Sequence, residues 1–376
     1  MRIVDLFSGV GGMTFGFYYC LEDGRFVRNK KCEIIFANEK NINAAKAFSI
    51  NFPDVKMLNY DIKDLRKKTI LNLIGTEEID IIIGGPPCQS FTTIGRRIYD
   101  DKAKLYKEYI RMLKIIKPRM FIFENVKGIL SMKDGANHSV LKRIIEKFEN
   151  IDNNFGYSVS HQTLNAVNYG IPQYRERVFI VGIRKESNIT WSFPEGNNSN
   201  LSIDGAINDL PPLKQGEIKE HYNKEPANDY QKLMRFPNKT LTYHYAALHS
   251  EKINLVMKNV AQGEGRSNFN QLVDKGLIDE RYRLTSGYEN TYGRLTAKRP
   301  CTTITYNMST PSSLRCIHYE QNRSLTPREG ARIQSFPDWF QFYGSLSEVK
   351  SQIGNAVPPL LAIALREQAE IAISGR

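Results

Sequence analysis

Arg2-Ile-Val-Asp-Leu-Phe-Ser-Gly-Val-Gly-Gly12 runs from an apolar, strand-like stretch into a glycine-rich turn, and Met13 to Leu21 follows as an apolar segment of helical length. Glycines at 9, 11 and 12 let the backbone approach a ligand closely at a strand-to-helix turn. The turn lacks the Gly-Lys-Ser/Thr ending of a phosphate loop and the spacing of the six-residue dinucleotide fingerprint, so a nicotinamide-dependent oxidoreductase is excluded. Further apolar runs, Glu33 to Ala37, Ile79 to Ile83, Met120 to Phe123 and Val178 to Ile183, alternate with segments of helical spacing such as Ile42 to Phe52 and Leu105 to Ile116. That alternation predicts an α/β fold, a doubly wound, mostly parallel sheet with helices on both faces.

Acidic residues stand where such a fold needs them. Glu39 closes the second strand-like run, and Asp61 lies in Asn59-Tyr-Asp-Ile62. A carboxylate after the second strand can accept both ribose hydroxyls, and the two acids in series at strand ends suggest an adenosine pocket. Each alone reads as a surface charge.

The run Ile79 to Ile83 leads into Gly84-Gly-Pro-Pro-Cys-Gln-Ser-Phe-Thr92, which places one thiol directly after a rigid Pro-Pro pair. The prolines fix the backbone and the glycines permit a tight turn, so Cys88 is aimed as a nucleophile would be. Taken by itself, Cys88 reads as a small buried hydrophobe.

The chain has 376 residues, enough for two domains or one with a large insertion, and a formal net charge of +12, which favours a polyanionic partner. Arg96 to Arg119 carries nine Lys/Arg against three acids, a net +6 and half of the chain's excess, on a segment with an apolar stripe at helical spacing. Five cysteines form no Cys-x-x-Cys pair and no Cys/His cluster of metal-ligand spacing, so no disulfide framework and no metal site are expected. No signal segment opens the chain and no apolar run approaches the ~18 residues that span a bilayer. A soluble, intracellular protein without a membrane partner is expected. Beyond Ser192-Phe-Pro-Glu-Gly-Asn-Asn-Ser-Asn200 the sequence turns polar and irregular to about Asn322, which predicts a second, smaller domain, and Arg323 to Phe336 and Ala356 to Ile373 read as helices returning to the first.

A series of motifs in one order resembles the cytosine-5 DNA methyltransferase family: Asp5-Leu-Phe-Ser-Gly-Val-Gly-Gly12, Pro86-Pro-Cys-Gln89, Glu124-Asn-Val126, Gln173-Tyr-Arg-Glu-Arg177, Arg323 to Pro337, and Gln352-Ile-Gly-Asn-Ala-Val-Pro-Pro359. The resemblance covers about 1 to 185 and 290 to 365. It implies a Rossmann-like class I methyltransferase domain over 1–190, an irregular target-recognition domain over 191–322 and a returning segment over 323–376. It also implies S-adenosyl-L-methionine as cofactor, with S-adenosyl-L-homocysteine as product and no metal. The residues it assigns to the cofactor are Phe7, Ser8, Gly9, Val10, Gly11, Gly12, Glu39, Lys40, Asp61, Ile62, Pro86, Leu105, Asn355 and Val357.

For the chemistry, the resemblance makes Cys88 the thiolate that adds to cytosine carbon 6 and Glu124 the acid that protonates or hydrogen-bonds ring nitrogen 3. That role requires a raised pKa. Arg175, with Arg177 behind it, is expected to place donors near the base oxygen and the thiolate. A flipped cytosine is implied, with Gln89, Ser90, Ile94, Arg96, Arg97, Gln173, Arg294 and Thr305 at the DNA. Arg266, Asn268, Asn270, Gln271, Arg281 and Arg283 are further candidates for base edges and phosphates. The implied partners are double-stranded DNA and, functionally, a cognate restriction endonuclease, for a monomer in the bacterial or archaeal cytoplasm, associated with the nucleoid. The runner-up is a transfer RNA cytosine-5 methyltransferase on the same fold, and the alternative from another class is a catalytically idle DNA-binding protein.

Overall fold

β-Branched and aromatic residues dominate the apolar runs, and the strands form there. The structure, a computed structural model, describes residues 1–87, 105–197, 201–289 and 291–375. Its strands are β1 (Arg2–Leu6), β2 (Tyr19–Glu22), β3 (Arg25–Arg28), β4 (Glu33–Asn38), β5 (Lys56–Leu58), β6 (Ile81–Gly84), β7 (Met120–Val126), β8 (Tyr157–Asn165) and β9 (Glu176–Arg184). Seven of them make one sheet in the order β5-β4-β1-β6-β7-β9-β8. β5, β4, β1, β6 and β7 are parallel, while β9 pairs antiparallel with both β7 and β8. The expected mostly parallel α/β sheet is what forms.

Helices α1 (Gly12–Tyr18), α2 (Ile42–Asn51), α3 (Lys67–Ile74), α4 (Tyr106–Ile116) and α5 (Val140–Glu149) belong to the sheet's two faces. Alternate strand residues point to opposite faces, and here both are dry. Ile3, Ile81, Ile83 and Ile122 share a core with Phe15 and Phe17 of α1 and Phe48 of α2, whereas Val4, Ile82, Phe121 and Phe123 pack with Ile70, Met112, Leu113, Ile144 and Phe148 of α3, α4 and α5. This explains why the strands read as continuous apolar runs.

The helix expected over Met13 to Leu21 stops at Tyr18. Residues from Tyr19 enter a hairpin, β2 with β3, turned by Asp23 and Gly24, both at positive φ (49° and 69°). Asp-Gly is the residue pair that a two-residue hairpin turn favours.

The polar segment is less irregular than expected. It contains α6 (Ile203–Ile207), α7 (Asp229–Arg235), α8 (Glu251–Asn259) and α9 (Arg266–Asp274). Val256, Met257, Phe269, Val273, Leu284 and Ile317 form a small core of their own, while Ile203, Ile207, Leu210, Leu241, Leu295 and Ile304 join the core on the α1 face. The chain then makes α10 (Pro327–Ile333), α11 (Leu346–Asn355) and α12 (Pro359–Ser374). α10 is shorter than the Arg323 to Phe336 expectation, because Thr326 and Glu329 form a capping box that fixes its start.

α12 lies on α1. A Cβ built at Gly16 would stand 2.2 Å from the Ala362 carbonyl carbon and 2.4 Å from Ile363 N. In a free helix Gly→Ala is favourable by up to ~1 kcal/mol, but here backbone must move. Gly16→Ala is therefore expected to destabilise by about 1–3 kcal/mol, the usual cost of overpacking. Urea unfolding checks this, and an unchanged or higher midpoint would refute the close packing.

Candidate active site and cofactor cleft

β1 lies between β4 and β6, so the chain leaves it in opposite directions across the sheet. This is a topological switch point, and ligands of open α/β sheets bind outside the carboxyl ends of the strands there. The glycine loop follows β1 at that end. Phe7, Gly9 and Gly11 all have positive φ (57°, 56° and 88°), and the loop is pinned by Ser8 N–H to the Asn38 carbonyl (3.0 Å) and Gly11 N–H to the Ser8 carbonyl (2.9 Å). No atom among the described residues lies within 4 Å of where a Cβ on Gly9 would sit, so the space over the loop is open. Gly12 has the opposite constraint: its Cβ would meet the Val357 carbonyl oxygen at 2.4 Å. The first cofactor motif and the last therefore touch through backbone. Val10 is buried beneath them.

Glu39 borders the same loop. One carboxylate oxygen accepts Gly9 N–H (2.9 Å) and the other Asn41 N–H (2.7 Å). A carboxylate offers about four acceptor sites, so capacity remains for ligand hydroxyls. Burial pushes this carboxyl up, opposed by the Asn41 and Gly9 amides. Asp61 accepts the Lys40 ammonium at 2.7 Å and caps a single helical turn through Lys63 N–H. The hydrogen bond from Lys40 holds its pKa low. Ile62 is buried, Pro86 is buried, Leu105 is half-buried and Val357 is buried, while Asn355 is exposed and donates to Ser351 Oγ (3.1 Å). Beneath the loop, the wholly buried Asp5 accepts the Thr14 hydroxyl, and burial pushes its pKa up to about 8.

At the end of β7 stands Glu124, with 12% of its side chain exposed, paired with Arg177 Nε at 3.0 Å. The pairing is set by register: Glu124 lies opposite Phe179 and Val126 opposite Arg177 on the antiparallel β9. Gly84 pairs with Phe123, which brings Gly85 against the acid, and a Cβ there would be 2.7 Å from Glu124 Oε2. Gly85 stands three residues before Cys88. Cys88, Gln89, Ser90, Ile94, Arg96 and Arg97 lie outside the described residues. Burial raises the Glu124 pKa from its ordinary value, with the charges of Arg177 and then Arg175 pulling the other way.

The family model described as C-5 cytosine-specific DNA methylase matches residues 1–370. The chain belongs to that family. Its sequence is 35% identical over 393 residues to the Type II methyltransferase M.DdeI of Desulfomicrobium norvegicum, covering 98% of this chain and 88% of that protein. Against M1.HphI of Haemophilus parahaemolyticus the identity is 34% over 372 residues, with 98% and 86% covered. Among solved structures, a prophage-encoded E. coli protein classed among DNA modification methyltransferases superposes with a TM-score of 0.75 at 24% identity, covering 100% of this chain and 99% of that one. DNMT2 of Spodoptera frugiperda gives 0.61 at 18%, with 98% and 99% covered, a likeness of fold.

Several residues of this C-5 cytosine-specific DNA methylase stand elsewhere than the sequence suggested. Arg294 was expected at the DNA, yet it is buried and all its donors are committed inward, to the carbonyls of Val260, Met257, His318 and Gln321 and to Asn322 Oδ1. Gln173 is likewise buried, donating to the Ile333 carbonyl and Gln334 Oε1 and accepting Ile304 N–H. The two arginines of the Gln173 motif part company in the structure. Arg177 makes the contact with Glu124, while Arg175 is wholly buried and donates to the carbonyls of Ile304, Gly354 and Ala356. Thr305 is half-buried and its hydroxyl accepts Asn307 N–H (3.2 Å).

In the polar segment, Asn268 caps Gly265 N–H, Asn270 brackets the backbone of Leu284, Arg283 pairs with Asp274 and Glu280, Arg281 lies 3.7 Å from Asp279, and Arg266 donates to the Gly287 carbonyl. Gln271 is exposed. The sequence analysis gave Gly85 a turn and Gly354 a place in the closing motif, but not the close contacts they make with Glu124 and Thr305. Their signal was a glycine inside a motif, where a side chain has no room.

Proposed function

We propose that this chain transfers a methyl group from S-adenosyl-L-methionine to carbon 5 of a cytosine flipped out of one short duplex DNA sequence. The observation that carries the reading is the Glu124–Arg177 pair, held at the carboxyl end of β7 against Gly85 on the strand end that leads to Cys88.

Bound S-adenosylmethionine supplies an electrophilic methyl group. The open loop over Gly9, the spare acceptor capacity of Glu39 and the acid at Asp61 fit its adenosine and amino-acid parts. On this reading Phe7 to Gly12, Lys40, Ile62, Pro86, Leu105, Asn355 and Val357 complete the cofactor site. Cytosine carbon 5 is a poor nucleophile until Cys88 adds to carbon 6 as thiolate, which raises electron density at carbon 5. Glu124, whose pKa burial raises, donates in its protonated form to ring nitrogen 3 and so withdraws charge as the thiolate adds. Arg177 fixes the orientation of that carboxyl. Carbon 5 then takes the methyl group, its proton passes to water, nitrogen 3 returns its proton to Glu124, and the thiolate leaves as the ring regains its aromaticity.

On this reading 1–190 with 323–376 is the catalytic unit and 191–322 recognises the target. Gln89, Ser90, Ile94, Arg96, Arg97 and Thr305 face the DNA, and a monomer serves beside a cognate endonuclease in the cytoplasm. No helix among the described residues is long and apolar enough to cross a membrane. Incubation with methyl-labelled S-adenosylmethionine and mixed-sequence duplex DNA, followed by mapping of 5-methylcytosine, tests it. Methylation confined to one short context is expected, and label entering transfer RNA but not DNA would overturn it.

A further inference from the structure

We infer that Arg175 is a positioning residue whose guanidinium couples the cofactor cleft to the segment carrying Thr305, so that filling either raises affinity for the other. The inference rests on the proposed function and extends it to the order and linkage of binding.

Arg175 lies near the start of β9, two residues before Arg177, and its side chain is wholly buried. Nη1 donates to the Ile304 carbonyl at 2.9 Å, and Nη2 to the carbonyls of Gly354 (2.9 Å) and Ala356 (3.0 Å). One rigid, planar group thus sets the spacing between two segments far apart in sequence. The target-side segment is itself held against the Gln173 motif: Cys301 N–H donates to the Pro172 carbonyl, Tyr174 N–H to the Cys301 carbonyl, Ile304 N–H to Gln173 Oε1 and Thr303 Oγ1 to the Tyr174 carbonyl. It has little freedom to move except together with Arg175.

The cofactor-side segment abuts both neighbours. A Cβ at Gly354 would stand 2.4 Å from the Thr305 carbonyl carbon and 2.5 Å from Tyr306 N, and the Gly12 turn presses on the Val357 carbonyl as described above. From the glycine loop through 354–357 to Thr305 there is continuous backbone contact, with Arg175 clamping its middle. A displacement of 354–357 on cofactor binding is therefore passed to Thr305 through contact and to Arg177 through β9. By linkage the effect runs equally in reverse. Lysine cannot replace the clamp, because an ammonium is a point donor where three carbonyls in two directions need a planar fork.

The test is calorimetric titration of S-adenosylhomocysteine into the full-length protein, with and without a duplex carrying the methylated context. The readout is the ratio of the two Kd values. Wild type is expected to show a ratio of about 5–150, the usual range of coupling, and Arg175→Lys a ratio near 1. A residue that only holds the fold would lower the melting temperature and weaken binding while leaving the ratio intact, and that result overturns the inference. Gly354→Ala wedges the same joint with Arg175 present. It should also collapse the ratio, and it decides the matter if Arg175→Lys does not fold. Wild type that methylates DNA with a ratio near 1 sinks this inference alone, whereas wild type that methylates no DNA sinks the functional reading and this inference with it.

Discussion

Glu124→Gln should lower methyl transfer by roughly 10²–10⁴-fold, the range that general acid catalysis contributes, and should flatten the alkaline limb of the pH profile. The amide keeps an oxygen that can accept from Arg177, so the 3.0 Å contact and the register of β7 with β9 survive. What it loses is a proton that can be given to the ring. In the native protein burial raises the Glu124 pKa, and the opposing charges of Arg177 and Arg175 do not cancel the rise. The sign follows: the active, protonated form is present below that raised pKa and disappears as pH climbs through it, so turnover falls by about tenfold per pH unit above it. Arg177→Met should move this limb to higher pH, because the largest charge favouring the ionised carboxylate is removed. Cys88→Ala, by contrast, should abolish turnover at every pH, since no covalent activation remains. Initial rates across pH 6 to 10 with saturating cofactor separate the three. A Glu124→Gln profile parallel to wild type would assign the limb to another group and remove Glu124 from the acid role.

The sheet and the loops at its strand ends were legible because their signals are local. β1, β4, β6, β7 and β9 coincide with apolar runs, and the glycine loop, Glu39 and Asp61 follow strand ends by a few residues. The hairpin of β2 and β3 carried an equally local signal in Asp23-Gly24, but the apolar run from Met13 to Leu21 reads as one helix until the turn is weighed. β8 escaped because Tyr157–Asn165 is an edge strand whose middle residues face solvent, so it lacks the apolar run that marked the buried strands. The unforeseen placements have a different origin. Arg294 and Gln173 were assigned to the DNA, and Arg175 to the base oxygen and the thiolate, from the motifs in which they stand, and a motif does not say where a long polar side chain points. Their acceptors are mostly backbone carbonyls, as far as 181 residues away, which no spacing in the sequence reveals. The pair that does meet at the acid, Glu124 and Arg177, was brought together by antiparallel register, and the sequence reading had not anticipated that β9 would run against β7.

Arg332→Met is expected to cost about 3 kcal/mol of the roughly 5–15 kcal/mol that hold a typical domain. Arg332 on α10 has no exposure and joins two buried aspartates: Nε and Nη2 reach Asp338 at 2.9 and 2.6 Å, and Nη1 and Nη2 reach Asp209 at 2.5 and 3.2 Å. Asp209 precedes the polar segment's α7 and Asp338 follows α10, so this one guanidinium ties the two parts of the chain together. Its removal strands two carboxylates away from water. The loss falls at the lower end of the range for broken buried pairs because Arg328 stays 3.7 Å from Asp338 and Arg235 3.8 Å from Asp209. The pH dependence discriminates charge from packing. Arg332 and the other donors hold the Asp338 pKa below its ordinary value against the effect of burial; a depressed carboxyl contributes stability above about pH 4 that disappears as pH falls through its folded value. The deficit of Arg332→Met should therefore be greatest near neutrality and shrink toward pH 3, and adding Asp338→Asn should recover part of it at pH 7. Chemical denaturation at the two pH values measures both. A deficit independent of pH and untouched by Asp338→Asn would mean that Arg332 serves as filling, and that the charges around it have no part in joining α10 to the polar segment.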